Sequence, residues 1–276
     1  MTLREDIARA REILAGAGVE SPEVDARELA AHLLGCSPLE VTLRAAETPP
    51  GYWELVERRA RREPLQYILG QAAFGPLSLA VGPGVFIPRP ETEVLADWAV
   101  RGLRGVDKPL VIDLCTGSGA LAAYIVHQRG DAQVVAVERS PEAAAWARRN
   151  LEPLGVELRL GDATDPALLA DLAGKAHAVV SNPPYVPESE GLPAEIYHDP
   201  HEAVFAGADG MSVINRLVGP AAALLRPGGL LGIEHDDTTA LAVAELVAGL
   251  PLMSPPEPLR DLSGRDRFVI AGKLNN

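Results

Sequence analysis

Asn182, Pro183, Pro184 and Tyr185 close a run that starts as a buried strand at Val179 and Val180. Neither proline can donate to a sheet ladder, so the strand must stop at Ser181 or Asn182. The fixed φ of the prolines makes a stiff loop with carbonyl oxygens free to accept, Asn182 adds a side-chain oxygen, and Tyr185 adds a flat ring. Acceptors beside a stacking surface suit a planar conjugated –NH₂, as on a carboxamide, an adenine or a cytosine. The plainer alternative is a turn after a core strand, with Tyr185 closing the core. The place where the strand ends favours the chemical reading.

A second group of residues has the spacing of a nucleoside site. In VIDLCTGSGALAA, Val111 to Ala123, Gly117 and Gly119 allow a tight turn and close approach to a ligand. The next apolar run, QVVAV, ends on Glu138, whose carboxylate can accept from both hydroxyls of a ribose. Asp162 and Ala163 follow the run after that, where an adenine amino group would meet a polar side chain. A dinucleotide fingerprint needs Gly-x-Gly-x-x-Gly. Here the turn is Cys115, Thr116, Gly117, Ser118, Gly119, and Asp113 precedes it. A carboxylate there repels a pyrophosphate but can hold the ammonium of a methionine moiety, so S-adenosyl-L-methionine fits better than NAD.

Such residues need a scaffold that brings several strand ends to one edge. From about residue 105 the pattern alternates strand and helix, and the strands are apolar on both faces. That predicts a doubly wound, Rossmann-like α/β domain with a mostly parallel sheet and a final antiparallel strand, over residues 91–276. Residues 1–70 read as short helices, with capping boxes at Thr2 to Glu5 and Ser37 to Glu40. Between them, 71–90 reads as a hairpin and extended connector. Arg89, Pro90 and Thr92 either line the cofactor site or cap the helix that follows.

Composition narrows the function class. The 276 residues are 47% hydrophobic, and the apolar runs break well before the ~20 residues of a membrane span. No membrane association is expected, and a start that alternates charge with apolar residues suggests a cytoplasmic address. Two cysteines and six dispersed histidines offer neither a disulfide scaffold nor metal-ligand spacing, so no metal is expected. A net charge of −13 argues against capture of duplex nucleic acid. Glu57 to Glu63 holds four arginines, read as a solvated helix face balanced by its glutamates.

Asn-Pro-Pro-Tyr with a glycine-rich first loop resembles the amino-methyltransferases, which include adenine-specific DNA enzymes and protein glutamine enzymes. PLQYILG (64–70), FIPRPETE (86–93), DPHEAVFAGADG (199–210), RPGG (226–229) and DLSGRDRFVIA (261–271) are similar to the peptide chain release factor glutamine methyltransferase family, known as HemK or PrmC. The resemblance covers nearly the whole chain. It implies methylation of the glutamine side-chain amide in the Gly-Gly-Gln loop of bacterial release factors, with S-adenosyl-L-homocysteine as product. It places Cys115 to Gly119 on the methionine part of the cofactor, Glu138 on its ribose, Asp162 and Ala163 beside its adenine, and Asn182 to Tyr185 on the glutamine. The helical region would recognise the protein substrate, and a monomer without direct DNA contact is expected. A ribosomal-protein glutamine methyltransferase and, with no basic target-recognition insert in view, a DNA adenine methyltransferase are the alternatives.

Three departures from the family pattern stand out. Cys115 replaces the usual first glycine, which suggests that this position does not require a positive φ. Asp199 replaces a glutamate, and Glu234 to Thr239 replaces a Glu-x-Gly. None is expected to touch the catalytic contacts.

Overall fold

The computed structural model describes residues 2–43, 47–188 and 194–275, in two compact units. One comprises Met1–Gln71 with Pro193–His198; the other comprises Ala72–Leu192 with Asp199–Asn276.

The first unit is built from α1 (Leu3–Gly16), α2 (Pro22–Leu34), α3 (Pro38–Leu43), α4 (Tyr52–Ala60) and α5 (Leu65–Leu69). Both capping boxes form. Thr2 and Glu5 exchange bonds at the start of α1, and Ser37 and Glu40 do so at α3. Leu3, Ala10 and Leu14 of α1 pack on Leu29 of α2 and on Tyr52 and Val56 of α4. The basic stretch is not simply a solvated face. Arg59 is 6% exposed and donates to Asp25 at 2.7 Å and Glu195 at 3.1 Å, while Arg62 donates to both oxygens of Glu195. Burial alone would raise the Glu195 carboxyl, yet Arg62 and Arg59 hold it down at about 2. That pairing accounts for the grouping of residues 193–198 with the helices, which sequence patterning does not reveal.

In the second unit β1 (Gln71–Phe74) and β2 (Leu77–Ala80) form a two-stranded sheet. Then follow α6 (Glu93–Gly102), β3 (Leu110–Leu114), α7 (Ala120–Gln128), β4 (Gln133–Glu138), α8 (Pro141–Leu151), β5 (Glu157–Leu160) and β6 (Ala176–Ser181). The chain continues through α9 (His201–Val204), α10 (Ile214–Leu224), β7 (Leu225–Glu234), α11 (Ala240–Ala248), β8 (Glu257–Arg260) and β9 (Asp266–Gly272). The main sheet has seven strands in the order β5-β4-β3-β6-β7-β9-β8. β3 to β7 pair in parallel, and β9 pairs antiparallel with both β7 and β8. The final strand is therefore inserted beside β7, and β8 takes the edge. β8 escapes sequence patterning because Glu-Pro-Leu-Arg reads as loop, yet a proline is tolerated on an edge strand.

Val134 to Val137 are all buried, as a parallel strand covered on both faces requires. On one face Leu95, Ile125 and Leu151 bring in α6, α7 and α8; on the other Leu217 and Val243 bring in α10 and α11. Register then aligns the strand ends. Leu114 is level with Val137 on one side and with Ser181 on the other, Glu138 with Leu160, and Ser181 with Ile233. Cys115, Glu138, Gly161, Asn182 and Glu234 thus lie at or just beyond one edge of the sheet, where ligands of open α/β sheets bind.

Candidate active site

That edge opens into a cavity of about 1190 Å³ including its mouth. Its walls include Cys115, Thr116, Gly117 and Ser118 from the loop after β3, Glu138 from β4, Asp162 and Ala163 after β5, and Asn182 to Tyr185 after β6. The two groups of chemically suggestive residues therefore share one space.

The loop after β3 is held from behind. Asp113 is fully buried and is not part of the cavity wall; its Oδ2 accepts from Thr116 Oγ1 at 2.5 Å and from the Ala122 N–H at 3.2 Å. Its Oδ1 is buried without a hydrogen-bond partner among the described residues, and burial pushes the carboxyl up to about 7. Gly119 also lies outside the wall. Its φ is 89°, and a Cβ there would stand 2.8 Å from Leu151, so it is needed for packing. Asn150 braces the loop by donating to the carbonyls of Ser118 and Ala80.

Cys115 departs from its sequence-based expectation. Its φ is 61°, in the left-handed region, so the position does demand what a glycine supplies without strain. Burial, with the nearby Glu138 carboxylate, pushes the thiol up to about 12, which leaves it inert as a nucleophile.

Glu138 accepts three backbone N–H groups, from Gly117 at 2.9 Å and from Arg139 and Ser140 at 2.8 Å each. Burial raises its pKa against those bonds. Asp162 Oδ1 accepts from the N–H and hydroxyl of Thr164, and its Oδ2 faces Arg216 at 3.3 Å.

β6 ends at Ser181. Asn182 Nδ2 donates to Thr92 Oγ1 at 3.1 Å, the Thr92 hydroxyl donates to Glu234 Oε2 at 2.7 Å, and the Tyr185 hydroxyl donates to Glu234 Oε1 at 2.9 Å. No backbone N–H among the described residues donates to the Pro183 carbonyl. Thr92 sits at the N-cap position of α6 but its side chain makes no capping bond; it lines the cavity and links Asn182 to Glu234. Arg89 turns instead to Asp199, at 2.6 Å, and Asp199 also accepts the Ile87 N–H. The segment beyond Asp199 braces the loop, with Val186 N–H donating to Val204 O, and Ala206 N–H to Val186 O.

Sequence reasoning misses Glu234 and, though it leaves Thr92 open between lining the site and capping a helix, gives no sign that Thr92 links Asn182 to Glu234. Glu234 had a signal, since an apolar run ending on a carboxylate at a strand end is the pattern that marked Glu138. The expectation that the Glu234 to Thr239 stretch leaves the catalytic contacts untouched fails at Glu234. It is 1% exposed, burial pushes its carboxyl up to about 7, and it holds Tyr185 directly.

Among the described residues no helix is long and apolar enough to cross a membrane. A family model described as the PrmC N-terminal domain matches residues 5–70, and one described as the methyltransferase small domain matches 100–240. Among solved structures, a methyltransferase from Pyrococcus furiosus is similar at a TM-score of 0.51 and 18% identity, covering 73% of this chain and 91% of that one, a likeness of fold. A release factor glutamine methyltransferase of Mycobacterium tuberculosis is 45% identical, with 98% of this chain and 91% of that protein covered. One of Corynebacterium glutamicum is 58% identical over 99% of this chain and all of its own length. A likeness of that degree, end to end and across both the helical and the α/β parts, makes this chain a member of the release factor glutamine methyltransferase family.

Proposed function

We propose that this protein transfers a methyl group from S-adenosyl-L-methionine to the side-chain amide nitrogen of the glutamine in the Gly-Gly-Gln loop of peptide chain release factors. The observation that carries the reading is the single cavity shared by the loop after β3, Glu138, Asp162 and Asn182 to Tyr185. Family membership names the substrate class through the relatives' own description.

The residues present suit that cofactor. Glu138 offers a carboxylate to a ribose, Asp162 and Ala163 stand where an adenine edge would lie, and Cys115 to Ser118 present a bent backbone to the methionine part. Asp113 acts from behind the loop, where it holds Thr116 and the Ala122 N–H in place. When bound, the cofactor supplies an electrophilic methyl group on a sulfonium.

A carboxamide nitrogen is a poor nucleophile because its lone pair is delocalised into the carbonyl. Asn182 Oδ1 and the Pro183 carbonyl would accept its two N–H bonds and so fix the nitrogen in a productive orientation, and the Tyr185 ring would lie against the amide plane. Methylation makes both N–H bonds of the nitrogen far more acidic, so one of the two protons can leave late, to water, without a dedicated base. The helical unit would recognise the release factor, since the α/β unit already contains every proposed chemical contact.

The test is incubation of the pure protein with labelled cofactor and a panel of release factor, ribosomal proteins and DNA. Label on the release factor glutamine, lost when that glutamine is changed to alanine, is the expected result. Label on ribosomal protein or DNA alone would overturn the assignment.

A further inference from the structure

A carboxamide side chain is nearly symmetric in shape, and its two ends differ only in that one donates and the other accepts. Shape alone therefore does not decide which end of Asn182 faces the cavity. Thr92 does. Its hydroxyl has one hydrogen, and its neighbour Glu234, as a carboxylate, can only accept. The Thr92 hydrogen must go to Glu234, which leaves only lone pairs for Asn182. Nδ2 is thereby drawn to Thr92, and Oδ1 is left for the cavity.

We propose that Glu234, acting through Thr92, sets the orientation of the Asn182 amide and so makes Asn182 an acceptor for the target –NH₂. Glu234 is a positioning residue, and the inference rests on the function proposed above. An uncharged group at 234 carries a hydrogen of its own and so allows the chain to reverse. A hydrogen on residue 234 then points at the Thr92 oxygen, the Thr92 hydrogen turns to Asn182 Oδ1, and the cavity is shown a donor where it needs an acceptor.

The surroundings make that reversal accessible. Thr92 and Glu91 face Glu234 from the segment before α6, Tyr185 from the loop after β6, and Arg267 from β9. Arg89 in turn acts on Tyr185, and Asp261 lies 3.8 Å from Arg267. Burial raises the Glu234 carboxyl, Glu91 adds to this, and Thr92, Tyr185 and Arg267 oppose it, with the balance at about 7.

The experiment compares wild type with Glu234→Gln, Thr92→Val and Thr92→Ser. It reads turnover on release factor at saturating cofactor across pH, and cofactor affinity by calorimetry. Wild-type turnover should fall on the acid side of about pH 7. Glu234→Gln should lose about tenfold or more in turnover above that pH, keep cofactor affinity within about twofold, and lose the acid limb. Thr92→Val should match it, the double variant should be no worse than either, and Thr92→Ser should retain most of the activity. Wild-type turnover in Glu234→Gln, or in Thr92→Val should the first variant not fold, overturns the inference alone. A wild-type protein that binds cofactor yet methylates no release factor overturns the functional reading and the inference with it.

Discussion

Glu138 Oε2 accepts the Gly117 N–H at 2.9 Å, so the acid that ends β4 already ties down the loop that leaves β3. Its other oxygen holds the N–H groups of Arg139 and Ser140. Glu138→Ala removes these ties together with the proposed ribose acceptor. Cofactor affinity should fall by about 1.5–3 kcal/mol, or about 10- to 150-fold, on calorimetric titration. Glu138→Gln, which keeps one acceptor but turns an –NH₂ toward backbone donors, should fall between. Equal affinities for wild type and Glu138→Ala would remove Glu138 from the cofactor site.

Cys115 stands at φ 61° without a glycine's freedom. Left-handed backbone costs an L-residue about 1–2 kcal/mol, part of which glycine returns through its more flexible unfolded state. Cys115→Gly should therefore be neutral or up to about 1 kcal/mol more stable in denaturant titration, and Cys115→Val, β-branched, clearly less stable. A glycine variant destabilised by more than about 1 kcal/mol would show that the thiol's packing outweighs the strain.

The contrast between Cys115 and Glu138 shows where the sequence is legible. A carboxylate at the end of an apolar run declares its position, because strand period and chain direction place it at the sheet edge. Asn182 to Tyr185 declare themselves likewise, because two prolines must end the strand. A φ does not show in a side chain, so Cys115 looks like relief from a glycine requirement when it bears one. Thr92 and Glu234 are 142 residues apart, and their bond exists only once the segment that leads into α6 lies against β7. Arg59 and Glu195 are 136 residues apart, and an arginine-rich stretch gives no sign of which arginine will be buried.

Burial pushes Asp113 and Glu234 up to about 7 each. A carboxyl raised in the fold binds its proton more tightly folded than unfolded, so it disfavours folding above its unfolded value near 4. Stability from these two groups should fall as pH rises from about 4.5 to about 7, then level off. Carboxyls held low, such as Glu195 at about 2, act in the opposite sense and at lower pH, outside that window. Asp113→Asn and Glu234→Gln should each flatten the decline. A variant-minus-wild-type difference that does not change across the window, measured by denaturation at several pH values, would contradict this.

Gly210 has φ 73°, and a Cβ there would stand 2.2 Å from the Tyr185 carbonyl oxygen. Backbone cannot yield as a flexible side chain does, so Gly210→Ala must displace the loop that carries Asn182 to Tyr185. The strain and overlap together should cost about 2–4 kcal/mol of stability and lower turnover with cofactor binding largely kept. Unchanged turnover in a folded Gly210→Ala protein would mean that the loop tolerates displacement.

Asn182→Ala removes both the acceptor and the anchor to Thr92. One N–H of the bound glutamine is left without a partner, at about 1–3 kcal/mol, and lost alignment adds to this, so turnover should fall by about tenfold to a few hundredfold. From the sequence, Asn182→Asp looks milder, since it keeps an acceptor of the same shape. The contact at 3.1 Å reverses that expectation. An aspartate has no hydrogen for Thr92 Oγ1, and the Thr92 hydrogen is already committed to Glu234, so two oxygens would face each other without a proton between them. A second carboxylate near Glu234 also adds like-charge repulsion in a buried network. Asn182→Asp should thus lose about as much turnover as alanine above pH 7, with partial recovery on acidification as the pair takes up a proton. If Asn182→Asp works at the wild-type rate across pH, Thr92 and Glu234 do not govern this side chain; if Asn182→Ala does, the Asn-Pro-Pro-Tyr loop is only a turn.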